Sequence, residues 1–240
     1  MTVFTNYFRT AAYLVVSLCA LSTAPSFGDP FQAGVSALKR GHYSTAMRAW
    51  MPLAEQGIAQ AQNNVGHLYE EGLGVSQDYT QAMRWYKKAA NQGLAEAQHN
   101  VGMLYYHGYG VRQNQRTAHK WFNLAAQQDL SDAQYMLGLS YYLGKGVSQN
   151  NKLARAWFYK SAKQAYGNAQ MMFAYMLQAG DGGKPQPELA IVWALLAEKN
   201  GIKDARDIAY HAELMLSDKQ VAIANTLVET CLRSDLKECT

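Results

Sequence analysis

The chain has 240 residues, a formal net charge of +4 and 49% hydrophobic residues. Lysines and arginines are interleaved with acids along its length, which excludes the concentrated basic footprint of a nucleic-acid binder. Length alone would fit one or two globular domains. An internal period of about 36 residues removes that count, because each unit of a repeat array packs only on its neighbours.

The first 28 residues stand outside the array. Arg9 is their only charge, an uncharged and largely apolar run covers Ala11 to Ala24, and Pro25, Ser26, Phe27 and Gly28 come next. The run is too short to span a bilayer and fits the core of a secretory signal. Small residues place cleavage after Gly28, with Ser26 as second choice; an uncleaved anchor is the competing reading. Leu18 before Cys19 excludes a lipoprotein signal. Cleavage after Gly28 removes Arg9, leaving 21 basic residues against 18 acidic, a net +3. A signal peptide over 1–28 predicts export, to the periplasm first and the extracellular space second.

Residues 29–57 read as a capping helical hairpin. Phe31 to Arg40 forms a short amphipathic helix stopped by Gly41, and Ser44 to Gln56 forms a second that ends at Gly57, with a slight kink expected at Pro52. Ala46 and Gly57 already stand in phase with the 36-residue period.

The array aligns with itself. First helices carry Ala61, Ala97, Ala133 and Ala169; five residues on, Gly66, Gly102, Gly138 and Ala174; three further, Tyr69, Tyr105, Tyr141 and Leu177; then Gly72, Gly108, Gly144 and Gly180. With Val65, Val101, Leu137 and Phe173, these lie on one helical face. A mid-helix glycine costs about 1 kcal/mol against alanine, so its recurrence implies close approach of the paired helix. Second helices repeat Ala82, Trp85, Tyr86, Ala89; Ala118, Trp121, Phe122, Ala125; Ala154, Trp157, Phe158, Ser161; and Ala190, Trp193, Ala194, Ala197. That spacing predicts one apolar stripe per helix, with the tryptophans as its large members. Asp78, Asn114 and Asn150 stand where N-caps belong, and Pro187 at a first helical position. Gly57, Gly93 and Gly201 come directly after the second helices, with Asp129 and Ala165 in the same place elsewhere.

This reading gives three well-formed repeats over 58–161, a degenerate fourth over 162–197, and C-terminal capping helices with a short tail over 198–240. Ser217 to Gln220 resembles a capping box opening a last helix that reaches about Leu232. Of three cysteines, Cys19 falls in the signal and Cys231 and Cys239 remain. An even count in an exported chain predicts a disulfide. Eight residues of one helix rise about 12 Å, whereas bridged Cα atoms lie under about 7 Å apart. The last helix must therefore end between the two, near Ser234 or Asp235, if they pair; two free thiols are the alternative.

Ala-Gln-x-x-Val-Gly-x-Leu-Tyr-x-x-Gly-x-Gly-Val followed by Ala-x-x-Trp-Tyr/Phe-x-x-Ala resembles the Sel-one-like repeat (SLR), a relative of the tetratricopeptide repeat. The resemblance covers about Phe31 to Arg233 and is most specific over Gly57 to Ser161. It implies an all-α fold, an α/α superhelical solenoid of stacked antiparallel helix pairs, used as a protein-interaction scaffold. Bacterial members are often exported and act in the envelope or in host contact. The cysteine-rich subclass described as β-lactamase-like places paired cysteines in each repeat; this chain lacks them there, so that label does not transfer.

Catalytic constellations are not evident. Gly72-x-Gly74, Gly108-x-Gly110 and Gly144-x-Gly146 come after helices and recur with the period, so they read as turns rather than phosphate loops. The histidines (His42, His67, His99, His107, His119 and His211) form no His-x-x-x-His pair, and no metal site or cofactor is expected. Glu70 and Glu71 are adjacent and are expected to diverge on their helix. No set of residues fills the roles of a reaction, so the chain reads as no enzyme. A peptidoglycan-directed envelope enzyme, or a regulator of one, is the alternative.

The functional expectation rests on positions that vary between copies. Offsets 2, 6 and 9 of the first helices form a second stripe: Asn63, His67, Glu70; His99, Met103, Tyr106; Tyr135, Leu139, Tyr142; and Met171, Tyr175, Gln178. The resemblance implies that first helices line the concave surface, where this stripe would meet a protein or peptide segment. Tyrosine is enriched at binding hot spots and methionine adapts to varied surfaces. The competing reading makes these rings packing between adjacent repeats. No nucleic acid and no stable membrane insertion after signal cleavage are expected as partners.

Overall fold

A computed structural model describes residues 29–234 together with Leu236 and Cys239. The expected signal peptide lies outside the described residues. These are helical, with no strand among them, and divide into two compact units after Gln92.

The first unit holds α1 (Pro30–Lys39), α2 (Tyr43–Glu55), α3 (Ala59–Glu71) and α4 (Tyr79–Asn91), each packed on the next. Val35, Met47, Trp50, Val65 and Leu68 form its core, and the Trp50 indole donates to the Phe31 carbonyl at 3.1 Å. The second unit holds α5 (Ala95–His107), α6 (Gln115–Ala126), α7 (Ser131–Leu143), α8 (Asn151–Ala162), α9 (Gly167–Ala179), α10 (Pro187–Lys199), α11 (Ala205–Glu213) and α12 (Asp218–Arg233). Its helices form the pairs α5–α6, α7–α8 and α9–α10, and α6 on α7 and α8 on α9 stack one pair on the next. Helix α10 packs on α9, α11 and α12. It buries residues all round, from Ala190 to Ala194 and again at Leu196 and Ala197, as a helix enclosed on several sides must.

Local chemistry sets the helix ends. Asp78 accepts from the amides of Thr80 and Gln81 at 2.8 and 3.0 Å, Asn114 from Thr117 at 3.0 Å and Asn150 from Leu153 at 3.0 Å. The amides of Asp78, Asn114, Asn150 and Gln186 in turn donate to the carbonyls of Tyr69, Tyr105, Tyr141 and Leu177 at 2.8–2.9 Å, closing each hairpin loop. The Gly-x-Gly turns use their glycines differently. The first ends the helix in the left-handed region (Gly144, φ 66°), and the second lets backbone meet backbone: a Cβ on Gly146 would run into the Gln115 carbonyl and one on Gly182 into that of Asn151. Asp129 and Ala165 hold φ of 60° where Gly57, Gly93 and Gly201 stand elsewhere, a conformation that costs an L-residue about 1–2 kcal/mol.

The mid-helix glycines face rings. A Cβ on Gly66 would lie 2.7 Å from Tyr86, on Gly102 2.6 Å from Phe122 and on Gly138 2.7 Å from Phe158. Close approach is thus the reason for the glycine, as its recurrence implied. The fourth repeat has Ala174 at this position and Ala194 in place of the ring, both fully buried. The repeat tryptophans depart from expectation. Tyr86, Phe122 and Phe158 are fully buried, whereas Trp85, Trp121 and Trp157 are half-buried, and of the four only Trp193 is enclosed. In α4 the buried arc includes Met83 and Ala90 as well as Ala82, Tyr86 and Ala89, which centres it on Tyr86 and leaves Trp85 at its edge. There Lys88 covers Trp85 at 3.9 Å, as Lys160 covers Trp157 at 4.3 Å.

Helix α12 ends at Arg233, capped by Ser234, between the two cysteines. Cys231 and Cys239 are bonded, with Cα atoms 5.0 Å apart, and both are buried with Trp193 and Val228. The Ser217–Gln220 capping box is formed.

Candidate binding surface

In residues 93–240 the variable stripe runs over α5, α7 and α9. None of its members is fully buried: Tyr175 is 41% exposed and the others are half-buried. Their inner sides pack. Met103 and Tyr106 lie against the core around Phe122 and Leu137, and Tyr142 against that of α8–α10. The Tyr135 ring lies 5.7 Å from Phe158 and 5.3 Å from Tyr166. Tyr106, Tyr135 and Tyr142 are thus packed on one side and partly open on the other. His99 leans furthest inward. Its ring is 5.6 Å from Phe122, its Nδ1 is enclosed without a hydrogen-bond partner, and burial holds the imidazole below its ordinary pKa against the opposing field of Asp132. Met171 and Gln178 are half-buried on α9.

At offset 9 the stripe meets residues that its own periodicity did not reveal. Lys145 Nζ donates to the Tyr106 hydroxyl at 2.9 Å, and the Tyr142 hydroxyl donates to Asp181 Oδ2 at 3.5 Å. Burial first, then hydrogen bonding with Tyr175 and Asp181, raises Tyr142 to about 12. Lys145 and Asp181 are the central residues of their Gly-x-Gly turns, each 39 residues beyond its tyrosine. The signal was present in the sequence: that turn position reads Leu73, Tyr109, Lys145 and Asp181, as variable as the stripe itself.

In residues 29–92 the corresponding positions on α3 are Asn63, His67 and Glu70, all half-buried. Here the structure corrects one expectation. Glu70 and Glu71 do not diverge; with His67 they bring a ring nitrogen and two carboxylate oxygens within 4.8 Å of one another. Positions i+3 and i+4 both lie beside position i on a helix, and a glutamate is long enough for either neighbour to turn towards the shared imidazole. The Tyr86 hydroxyl, carried across Gly66, donates to Glu70 Oε2 at 2.5 Å. Burial raises the Glu70 pKa and lowers that of His67; Glu71 opposes the shift at His67 and adds to that at Glu70. This is the one trio among the described residues with a donor set of that kind.

A further apolar area was not anticipated. Tyr210, Leu214, Met215 and Ile223, on and between α11 and α12, are 55–68% exposed.

Four consecutive matches to the Sel1 repeat family model cover residues 59–94, 95–130, 131–166 and 167–202. No curated protein matches the chain. Among solved structures, a Sel1 repeat protein from Oxalobacter formigenes is similar at 32% identity and a TM-score of 0.69, over 75% of this chain and 74% of that one. The protein c5321, a protective antigen present in uropathogenic Escherichia coli strains and displaying an SLR fold, is similar at 28% identity and a TM-score of 0.70; the match covers 87% of this chain but spans about half of that one (49%). The immunity protein Pa5087 from Pseudomonas aeruginosa, 15% identical with a TM-score of 0.51, shares the fold alone. With its helix pairs, glycine–aromatic contacts and four consecutive family matches, the chain belongs to the Sel1 repeat family.

Proposed function

We propose that the protein is an exported, non-catalytic scaffold that holds a protein or peptide segment against the open sides of the first helices of residues 93–240, in envelope assembly, stress response or host contact. Sel1 repeats generally mediate protein interactions rather than catalysis. The observation that carries the reading is the incomplete burial of Tyr106, Tyr142 and Tyr175 at positions the repeat does not require. Tyr106 and Tyr142, anchored on one side by packing and by bonds to Lys145 and Asp181, offer contact area with little ordering cost. The Cys231–Cys239 bond supports an oxidising compartment, and the description of c5321 as a protective antigen supports an envelope or host-facing setting. No described helix is long and apolar enough to cross a membrane.

A photo-crosslinking residue at Tyr175, compared with one at the exposed Lys120 on second helix α6, tests the surface in the envelope fraction of the source cell. A discrete adduct is expected at Tyr175, weakened by Tyr142→Ala and absent at Lys120. Equal adducts from both positions, or none from Tyr175, would rule this surface out as the binding face.

A further inference from the structure

We propose that His67, Glu70 and Glu71 form a binding site for a divalent transition-metal ion of the zinc class. The site lies within α3 of the first unit and stands independently of the proposed peptide surface.

Three observations carry it. The first is geometric: one imidazole nitrogen and two carboxylate oxygens, at positions i, i+3 and i+4, already lie within 4.8 Å of one another. Ligand atoms around a tetrahedral zinc ion at about 2.0–2.2 Å sit roughly 3.5 Å apart, a separation reached by side-chain rotation alone. The second is the supporting partner. The buried Tyr86 hydroxyl donates to Glu70 Oε2 at 2.5 Å, which holds the carboxylate in place. An outer hydrogen bond of this kind orients metal ligands.

The third observation is internal to the sequence. At the positions of His67, Glu70, Glu71 and Tyr86, the second repeat has Met103, Tyr106, His107 and Phe122, and the third has Leu139, Tyr142, Leu143 and Phe158. The hairpin therefore packs without this polar set, which is concentrated at one point of one repeat. Two neighbouring carboxylates, one half-buried, repel each other. The ion pairs Lys199–Glu229 and Arg206–Glu198 lie elsewhere. A divalent cation would balance both carboxylate charges.

The donor set selects the ion. Calcium and magnesium take oxygen ligands, and calcium takes six or more. An imidazole with two carboxylates and no thiolate suits zinc and its first-row neighbours. Three protein ligands, with Glu71 exposed, leave coordination positions open to water or to a donor from another molecule.

Zinc chloride titrated into the tag-free exported chain with its disulfide intact tests the site, with calorimetry and the shift in unfolding temperature as readouts. One ion per chain is expected. His67→Gln and Glu71→Gln each remove the stoichiometric binding and the temperature shift, while unfolding without zinc is little changed. Tyr86→Phe, which installs the residue its sister repeats carry, keeps the fold and weakens zinc binding by about 10–100-fold. Absence of one-to-one binding in the wild type, or binding that His67→Gln and Glu71→Gln leave in place, would overturn the site.

Discussion

Gly102 and Phe122 share one volume. The ring of α6 lies where a side chain on α5 would start, at 2.6 Å from the missing Cβ, so helix separation is set by an absent atom. Gly102→Val fills that volume twice and is expected to lower stability by about 1–3 kcal/mol through overpacking; an unchanged urea midpoint would mean that the pair separates freely. The complementary loss falls on the ring. Phe122 is fully buried and Trp121 half-buried, so Phe122→Ala should cost about 3–5 kcal/mol, and Trp121→Ala clearly less despite the larger side chain. Equal losses in a denaturant series would place Trp121 in the core after all. Sequence periodicity identified both residues as members of one stripe. It did not rank them, because spacing of i, i+3 and i+4 marks a face about 100° wide and the centre of that face depends on which helix lies opposite.

Between helix pairs, the stacking is fastened by glutamines at offset 1 of the first helix. Gln62 Nε2 donates to the Ala54 carbonyl at 3.0 Å, Gln134 to Ala126 at 3.4 Å and Gln170 to Ala162 at 3.2 Å. Each thereby adds a second donor to a carbonyl in the last turn of the preceding second helix, which also accepts from the turn amide of Gly57, Asp129 or Ala165. The same glutamines accept on Oε1, from Gln92 at 2.8 Å, Gln164 at 2.9 Å and Asn200 at 2.7 Å. Gln128 binds Gln98 in the same way at 2.8 Å. Gln134→Leu keeps the volume and removes both of these bonds together with a third, from Nε2 to Asp129 Oδ1 at 3.1 Å. The Ala126 carbonyl keeps the Asp129 amide, and Gln164 and Asp129 are exposed, so the expected loss is that of ordinary hydrogen bonds, about 0.5–1.5 kcal/mol, measurable as a shift in urea midpoint at constant slope. The glutamine was legible as part of the Ala-Gln pair of the repeat pattern, yet its role was not: no spacing rule shows that a side chain reaches back to a carbonyl eight residues earlier and is itself held from 30 residues later. The Lys145–Tyr106 and Tyr142–Asp181 bonds escaped for the same reason, since they join positions 39 residues apart, beyond one repeat. The helix-ending glycines, caps and helix limits were legible because each depends on backbone chemistry within a few residues.

For the whole chain, nearest-neighbour packing decides how far any change is felt. In residues 93–240 the terminal helices α11 and α12 rest on α10, and α11 also touches α9. The Cys231–Cys239 bond lies within that end of the core, beside Trp193, Val228 and Leu236. It closes a loop of eight residues, for which the chain-entropy model gives roughly 2–3 kcal/mol. In a two-state globule that sum would be lost everywhere at once. In an array it is lost where the loop is attached and decays along the stack. Replacing both cysteines by serine is therefore expected to raise amide exchange in α11 and α12 most and in α10 less, while the amides of α5 and α6, several pairs away, keep their protection. Exchange that rises uniformly from α5 to α12 would show that residues 93–240 unfold as one cooperative body, with the disulfide contributing to all of it rather than to its end.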